Sequence, residues 1–232
     1  MAEKIYKESK VELSPLIARH YDRIMNFISL GKYDTFIRRA IRDMHIREGD
    51  QILDLGCGTG KNAGLMAGYI GTDGQITGID LSPVMEKQFM RKHGDDPRMS
   101  FIRKRIDTPL HLEKRFDKVL ISFVIHGFPH EVREAILKNA FDHLRPGGRL
   151  YILDYAEFKL EEMPAHHRYI LKTVECKYAF DYIKKDWKSL LKNFGFSDFN
   201  EALYFRSYAR LLRAEKVPDY SSAQLRRSRS YP

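Results

Sequence analysis

Two cysteines, Cys57 and Cys176, are too few for a disulfide framework or a cysteine-rich metal site. A reducing cytoplasm is the compartment this usage leads us to expect. No apolar run is long enough to cross a bilayer, and the opening MAEKIYKESKVELSP lacks the apolar segment of a secretory signal. No internal repeat is visible. The pattern GxxxxGK[ST] is missing, which excludes the usual nucleoside triphosphate loop. His166 and His167 are adjacent, so on a helix they diverge by about 100° and do not chelate together. His126 and His130 stand four apart, but Gly127 and Pro129 argue against a helix between them. No metal site is expected.

Ordinary globular material remains: 232 residues, 43% hydrophobic and 31% charged, enough for one α/β domain with attachments. The net charge of +9 leaves two readings open. One is an anionic partner, such as peripheral contact with an anionic membrane surface; the other is a solubilising surface, since the basic residues are scattered.

The stretch that organises the chain is QILDLGCGTG, Gln51 to Gly60. Ile52, Leu53 and Leu55 read as a strand buried on both faces. Gly56, Gly58 and Gly60 then free the backbone to take positive φ and to approach a ligand. Helical character follows in KNAGLMAGYI, so the loop sits at a strand-to-helix turn, where open α/β sheets bind ligands. Asp54 sharpens this reading. A carboxylate there repels a pyrophosphate but suits an ammonium group, such as the methionine end of S-adenosylmethionine. Roughly 20 residues on, QITGID ends a second strand in Asp80, placed to bind ribose hydroxyls. LSPVMEKQFMRKH then reads as a helix capped by Ser82, with Pro83 at its first position.

These segments resemble class I S-adenosylmethionine-dependent methyltransferases, with ILDLGCGTG like their first motif and ITGIDLS like their second. HYDRIMNFISLGKYDTFIRRAI followed by ILDLGCGTG is particularly similar to the C-methyltransferases of ubiquinone and menaquinone biosynthesis. The likeness covers roughly residues 14 to 216. It implies a Rossmann-like α/β fold: a seven-stranded, mostly parallel sheet with helices on both faces and a C-terminal antiparallel hairpin. It also implies the cofactor S-adenosylmethionine, held by Asp54, Gly56, Cys57, Gly58, Thr59, Gly60, Asp80 and Leu81. Tyr21 would close over it from an N-terminal helix or serve as a core tyrosine. Ile106 and Asp107 would meet the adenine, and Ser122, in LISF, is carried over as a further contact.

The rest of the chain is divided accordingly. A helical cover spans residues 1–47, with one helix from Pro15 to Leu30 and a second in YDTFIRRAIRDMHI that turns Phe36, Ile37, Ala40, Ile41 and Met44 inward. The methyltransferase domain occupies 48–216. Strands are expected at Met99 to Arg103, in FDKVLISF and in RLYILDYAEF, the last preceded by an amphipathic helix that RPGG stops. An insert rich in Tyr, Phe and His, near 159–182, lies where such enzymes build the acceptor pocket. DWKSLLKNFGF is a helix closed by Gly195, before hairpin strands at Asp198 to Phe205 and Ser207 to Ala214. A basic tail, 217–232, is poor in large aliphatics.

Methyl transfer requires alignment of a nucleophile and exclusion of water, and a phenol also needs a base. His126, at the exit of the fourth strand, is the candidate base because imidazole titrates near neutrality; the alternative is a pocket liner. Tyr155 and Glu157, after the fifth strand, are bases, liners or loop residues. Cys57 reads as a small filler. The leading function is methylation of a small, apolar or aromatic acceptor, with a quinol-like ring carbon as the specific expectation. Another small-molecule O- or N-methyltransferase is the alternative, and a non-catalytic cofactor-binding protein is the alternative of a different class. Nucleic acid is disfavoured as a partner: there is no [ND]PP[YFW] motif and no paired catalytic cysteines.

Overall fold

The run at 51–55 becomes a strand because both of its faces are covered. In the computed structural model, which describes Tyr6, Ser9 and residues 32 to 218, it forms β1 (Gln51–Leu55). Ile52 packs toward one face of the sheet, Leu53 and Leu55 toward the other, all without solvent exposure. The other strands are β2 (Gln75–Asp80), β3 (Met99–Arg103), β4 (Phe116–Ser122), β5 (Leu144–Tyr155), β6 (Phe196–Tyr204) and β7 (Ala209–Lys216). They line up in the order β3-β2-β1-β4-β5-β7-β6. The first five are parallel, and β7 runs antiparallel between β5 and β6. This is the Rossmann-like α/β sheet that the sequence predicts.

The helices divide between the two faces. The first is α1 (Lys32–Arg42), whose Phe36, Ile37, Ala40 and Ile41 form the expected inward stripe. With Met44 and with Ala63 and Met66 of α2 (Lys61–Met66), they cover Ile52, Ile76, Leu120 and Leu153. α3 (Pro83–His93) starts as expected: Ser82 Oγ accepts from Met85 N–H at 3.3 Å and Pro83 holds the first position. On the opposite face, Ile136, Leu137, Ala140 and Phe141 of α4 (His130–His143) lie over Val119, Ile121, Leu150 and Ile152. Adjacent strand residues thus serve different cores, which is why the strands read as continuous apolar runs rather than alternating ones.

Three stretches differ from expectation. RPGG does not merely stop α4. It enters β5 as a bulge, with Phe116 opposite Leu144 but Lys118 opposite Arg149, and Gly147 takes φ 73°. The aperiodic insert folds into two short helices, α5 (Ala165–Val174) and α6 (Lys177–Tyr182), after a 3₁₀ turn at Leu160–Glu162. The hairpin strands begin at Phe196 and Ala209, and the connection between them holds Phe205, Arg206 and Ser207 at positive φ. The predicted helix from Pro15 to Leu30, with Tyr21, and the basic tail beyond Pro218 lie outside the described residues.

The last helix, α7 (Trp187–Asn193), is anchored by the single tryptophan. Trp187 is wholly buried, donates from Nε1 to the Tyr182 carbonyl at 3.0 Å and stacks on that tyrosine at 4.3 Å. No helix among the described residues is long and apolar enough to cross a membrane.

Register then places the functional loops. Leu55 pairs with Ile79 on one side and Ile121 on the other, so Gly56, Asp80 and Ser122 leave the sheet at one level. The crevice opens there, between β1 and β4, where the winding of the sheet reverses. Close packing under the loop gives a first test. A Cβ on Gly78, in the middle of β2, would sit 2.7 Å from Cys57 Sγ and 3.1 Å from Phe89 Cε2. Gly78→Ala should lower stability by about 1–3 kcal/mol in urea unfolding, the usual cost of overpacking; an unchanged midpoint would show that the loop yields freely.

Candidate active site

The glycine loop is pinned before it reaches any ligand. The amides of Gly56 and Cys57 donate to the Ile79 carbonyl at 2.8 and 3.1 Å, folding the loop across the end of β2. Asp80 braces it further: Oδ2 accepts from Gly58 N–H at 3.0 Å and Oδ1 from Ser82 N–H at 2.9 Å. Each carboxylate oxygen keeps acceptor capacity for a further donor, as two ribose hydroxyls would require. Leu81 follows with a largely exposed side chain, and Ser122 ends β4 half-buried.

The three glycines have three different reasons. All take positive φ, at 80°, 53° and 77°. A Cβ on Gly56 would press within 2.9 Å of Val124, and one on Gly60 within 2.6 Å of Phe89. Gly58 alone of the three faces open space, with nothing within 4 Å of a Cβ built there. Gly56 and Gly60 therefore let the loop pack against the protein, while Gly58 leaves room for something else. Thr59 and Cys57 are buried between them. Burial raises the Cys57 thiol well above its ordinary range, as befits a filler rather than a nucleophile.

Beneath the loop lies Asp54, wholly buried, with no hydrogen-bond partner on either oxygen among the described residues. Burial first, and the Asp80 charge second, push its pKa up to about 7. A buried carboxylate with no donor is expensive, and a cation delivered to the loop would relieve it. The residues fit an ammonium-bearing ligand on chemical grounds: an orphaned acid, an open backbone cradle and a second acid at the next strand.

On the adenine side, Ile106 is buried and its carbonyl accepts from Asn139 Nδ2 at 2.8 Å. Asp107 already has company. Arg105 donates to Oδ1 at 3.0 Å and to Oδ2 at 2.5 Å, and Tyr6 Oη donates to the same Oδ2. Burial works against the Asp107 charge, but those bonds outweigh it and hold the carboxyl below its usual range. An adenine amino group would have to join this cluster or displace Tyr6 from it.

The opposite wall is where the expected chemistry changes. His126 sits in a 3₁₀ turn, Ile125–Gly127. Its Nδ1 donates to Asp154 Oδ1 at 2.8 Å, and its Nε2 lies 3.4 Å from Glu175 Oε2. Burial opposes the charged ring, yet Asp154 and Glu175 together raise its pKa to about 10. The two carboxylates thus favour the protonated ring over the neutral imidazole that a base requires. Tyr155 joins the same group, its Oη donating to Glu175 Oε1 at 2.8 Å. Glu157 does not. It binds the wholly buried Arg210 and caps α7 through Trp187 N–H at 3.1 Å, so it belongs to the scaffold. His166 and His167 contribute no metal site, and no metal-binding cluster occurs among the described residues.

Sequence reasoning passed over Asp154, Glu175 and Arg133. Asp154 was legible: ILDY in β5 repeats the ILDL of β1, with an acid near the end of a buried run. Glu175 carries no local signal, because its partners are remote in sequence. Arg133, a charged residue within the amphipathic helix α4, is wholly buried. It donates to the carbonyls of Ile125, His126 and Tyr178 and to Asp181, tying α6 to the turn that carries His126.

Comparisons with known proteins agree with this geometry. A family model described as a methyltransferase domain matches residues 52–148, from β1 to the bulge of β5. A demethylmenaquinone methyltransferase of Lactobacillus johnsonii is 27% identical over 160 residues, covering 68% of this chain and 65% of that one. Another, from Symbiobacterium thermophilum, is 30% identical over 146 residues, covering 62% and 57%. The chain thus spans less than two thirds of the length of these relatives. Among solved structures, the N-methyltransferase NodS from Bradyrhizobium japonicum, in complex with S-adenosylhomocysteine, superposes with a TM-score of 0.55 at 14% identity, covering 80% of this chain and 86% of NodS.

Asp54 gives the site a measurable signature without any ligand. Its carboxyl ordinarily titrates at 3.8 and here is held up to about 7, so between those values the folded chain binds more protons than the unfolded one. Stability contributed by this group therefore falls as pH rises from about 4 through about 7. Asp54→Asn should flatten that fall and leave the variant more stable above pH 7, by an amount on the order of a few kcal/mol. Parallel wild-type and variant curves in urea unfolding at stepped pH would refute the assignment.

Proposed function

We propose that this chain is a class I S-adenosylmethionine-dependent methyltransferase that moves the sulfonium methyl group onto a small, apolar or aromatic acceptor, with a quinol-like ring carbon as the specific target. The observation that carries the cofactor half is the orphaned Asp54 carboxylate in the strand that leads into a glycine loop of which Gly58, alone of the three glycines, faces open space. Asp54 would receive the ammonium group, the Gly58 cradle the amino-acid portion, and Asp80 the ribose. The bound cofactor supplies an already activated methyl group, so the protein's share is alignment and water exclusion.

The acceptor half rests on the aromatic wall and on the likeness to quinone-pathway enzymes. Phe123 leaves β4 at φ 48°, and its ring meets Phe36 of α1 at 5.9 Å and Tyr155 at 6.4 Å. A non-glycine residue in that conformation is costly and marks a place where the surroundings dictate the backbone. Here it holds an aromatic ring between Phe36 and Tyr155, and such an aromatic surface suits a flat, apolar acceptor. With Nδ1 held by Asp154 and Nε2 by Glu175, His126 would act as a fixed positive charge beside that wall, and Tyr155, whose proton goes to Glu175, would offer its hydroxyl oxygen. Contact of the basic surface with an anionic membrane would bring a lipid-borne acceptor within reach.

Two measurements test this reading. Asp80→Ala should weaken S-adenosylhomocysteine binding by about 1.5–3 kcal/mol in calorimetry, the scale of hydrogen bonds to a charged group. Gly58→Val should abolish binding while the fold survives, and unchanged affinity in both variants would remove the cofactor from this loop. Labelled methyl transfer to extracted quinones, set against soluble metabolites and RNA, identifies the acceptor. Label confined to the soluble pool would overturn the quinol assignment and leave the cofactor assignment standing.

A further inference from the structure

Glu175 stands at a junction that the rest of the insert is shaped to make. α5 ends at Val174, and both Glu175 and Cys176 are extended, with ψ of 158° and 165°, before α6 begins. Two extended residues between two helices turn the chain sharply. That turn directs the Glu175 carboxylate down toward the sheet, where its side chain is only 11% exposed. One oxygen there receives the Tyr155 hydroxyl and the other faces His126 Nε2. Those two residues come from different strand ends, the exits of β5 and β4. One carboxylate from the insert therefore meets both at once.

We propose that Glu175 is a positioning residue that locks the His126 ring and the Tyr155 hydroxyl into one hydrogen-bonded unit, so that the site is assembled only when the insert is packed onto the sheet. As a statement about catalysis it rests on the methyl-transfer reading above. The charges make the arrangement specific. Among the described residues, His126 is faced by Asp154 from β5, by Glu175 from the insert, by the rings of Tyr155 and Tyr182 at 5.2 and 6.4 Å, and by Arg133 of α4, which donates to its carbonyl at 3.1 Å. Asp154 fixes Nδ1 and hence the plane of the ring, as a partner on one nitrogen sets the role of the other. Glu175 supplies the second negative charge, at Nε2. Without it, Nε2 loses its partner in a buried place and the case for a protonated ring weakens.

The signs follow directly. His126 ordinarily titrates at 6.5 and here near 10, so the folded chain holds an extra proton between those values. Stability from this group is present in full below 6.5 and is lost as pH rises through about 10.

The test is an NMR titration of the histidine ring signals in the full chain, with His126→Gln used to assign the resonance. In the wild type, the His126 midpoint should lie well above neutrality. Glu175→Gln should lower it by about one to three pH units, the shift that an opposite charge within about 4–6 Å supplies. Glu175→Asp, which keeps the charge but draws it back, should fall between the two. S-adenosylhomocysteine affinity should be the same in all three proteins, because Glu175 bonds to Tyr155 and His126, at the exits of β5 and β4, and not to the residues proposed to hold the cofactor's amino-acid portion and ribose. Once an acceptor is in hand, Glu175→Gln should lower kcat by about 10²-fold, as misplacement by about 1 Å does, with the KM for S-adenosylmethionine unchanged. A wild-type His126 titrating near 6.5, or a folded Glu175→Gln protein with an unmoved midpoint, overturns the proposal. The titration needs no acceptor, so failure to find methyl transfer and failure of this inference are separate results.

Discussion

Every charge in the centre of this molecule has to be accounted for at the ends of its strands. A parallel sheet covered on both faces offers no water along its length, and each strand residue is committed to one core or the other. Three acids stand where β1, β2 and β5 run out, at Asp54, Asp80 and Asp154. Each meets a different solution. Asp80 is satisfied by the backbone of the loop it braces, and Asp154 by a protonated histidine. Asp54 has no hydrogen-bond partner among the described residues. The unequal treatment of three similar carboxylates separates scaffold from machinery: the acid with no partner is the one whose partner arrives from outside.

Much of this was readable from the sequence, for a common physical reason. β1 and β2, the Ser82–Pro83 helix start and the inward face of α1 all depend on neighbours close in the chain or on burial along a single element. The fold followed, because apolar runs alternating with amphipathic helices leave few arrangements open. What was not readable depended on pairs far apart in sequence. The charge on His126 is set from residues 154 and 175, 28 and 49 positions away, and imidazole alone suggested the ordinary range. Glu157 looked like a substrate-side acid until Arg210, on the antiparallel return strand, claimed it. RPGG looked like a full stop because proline and glycine usually are one; the bulge it makes in β5 is visible only once β4 lies beside it.

The glycine loop shows how one motif can be composed of unlike requirements. Gly56 yields space to Val124 and Gly60 to Phe89, both internal neighbours, whereas Gly58 yields space to the crevice. Equal loss of function on substituting each residue would therefore conceal two mechanisms. At the outer positions the loop is displaced from below, and at the central one its upper surface is blocked. Thermal stability measured beside affinity distinguishes them by degree: positive φ strains a side chain at all three positions, but only at the outer two does it also press on the core.

Trp187 has a use beyond packing. It is the chain's single tryptophan, stacked on Tyr182, which in turn lies edge-on to His126. The molecule thus carries one tryptophan fluorophore, seated where the insert returns to the sheet. Any event that lifts α6 or wets that seam changes the surroundings of an indole that is otherwise dry. Its emission is a built-in optical gauge of the insert, free of background from other tryptophans and available without labelling.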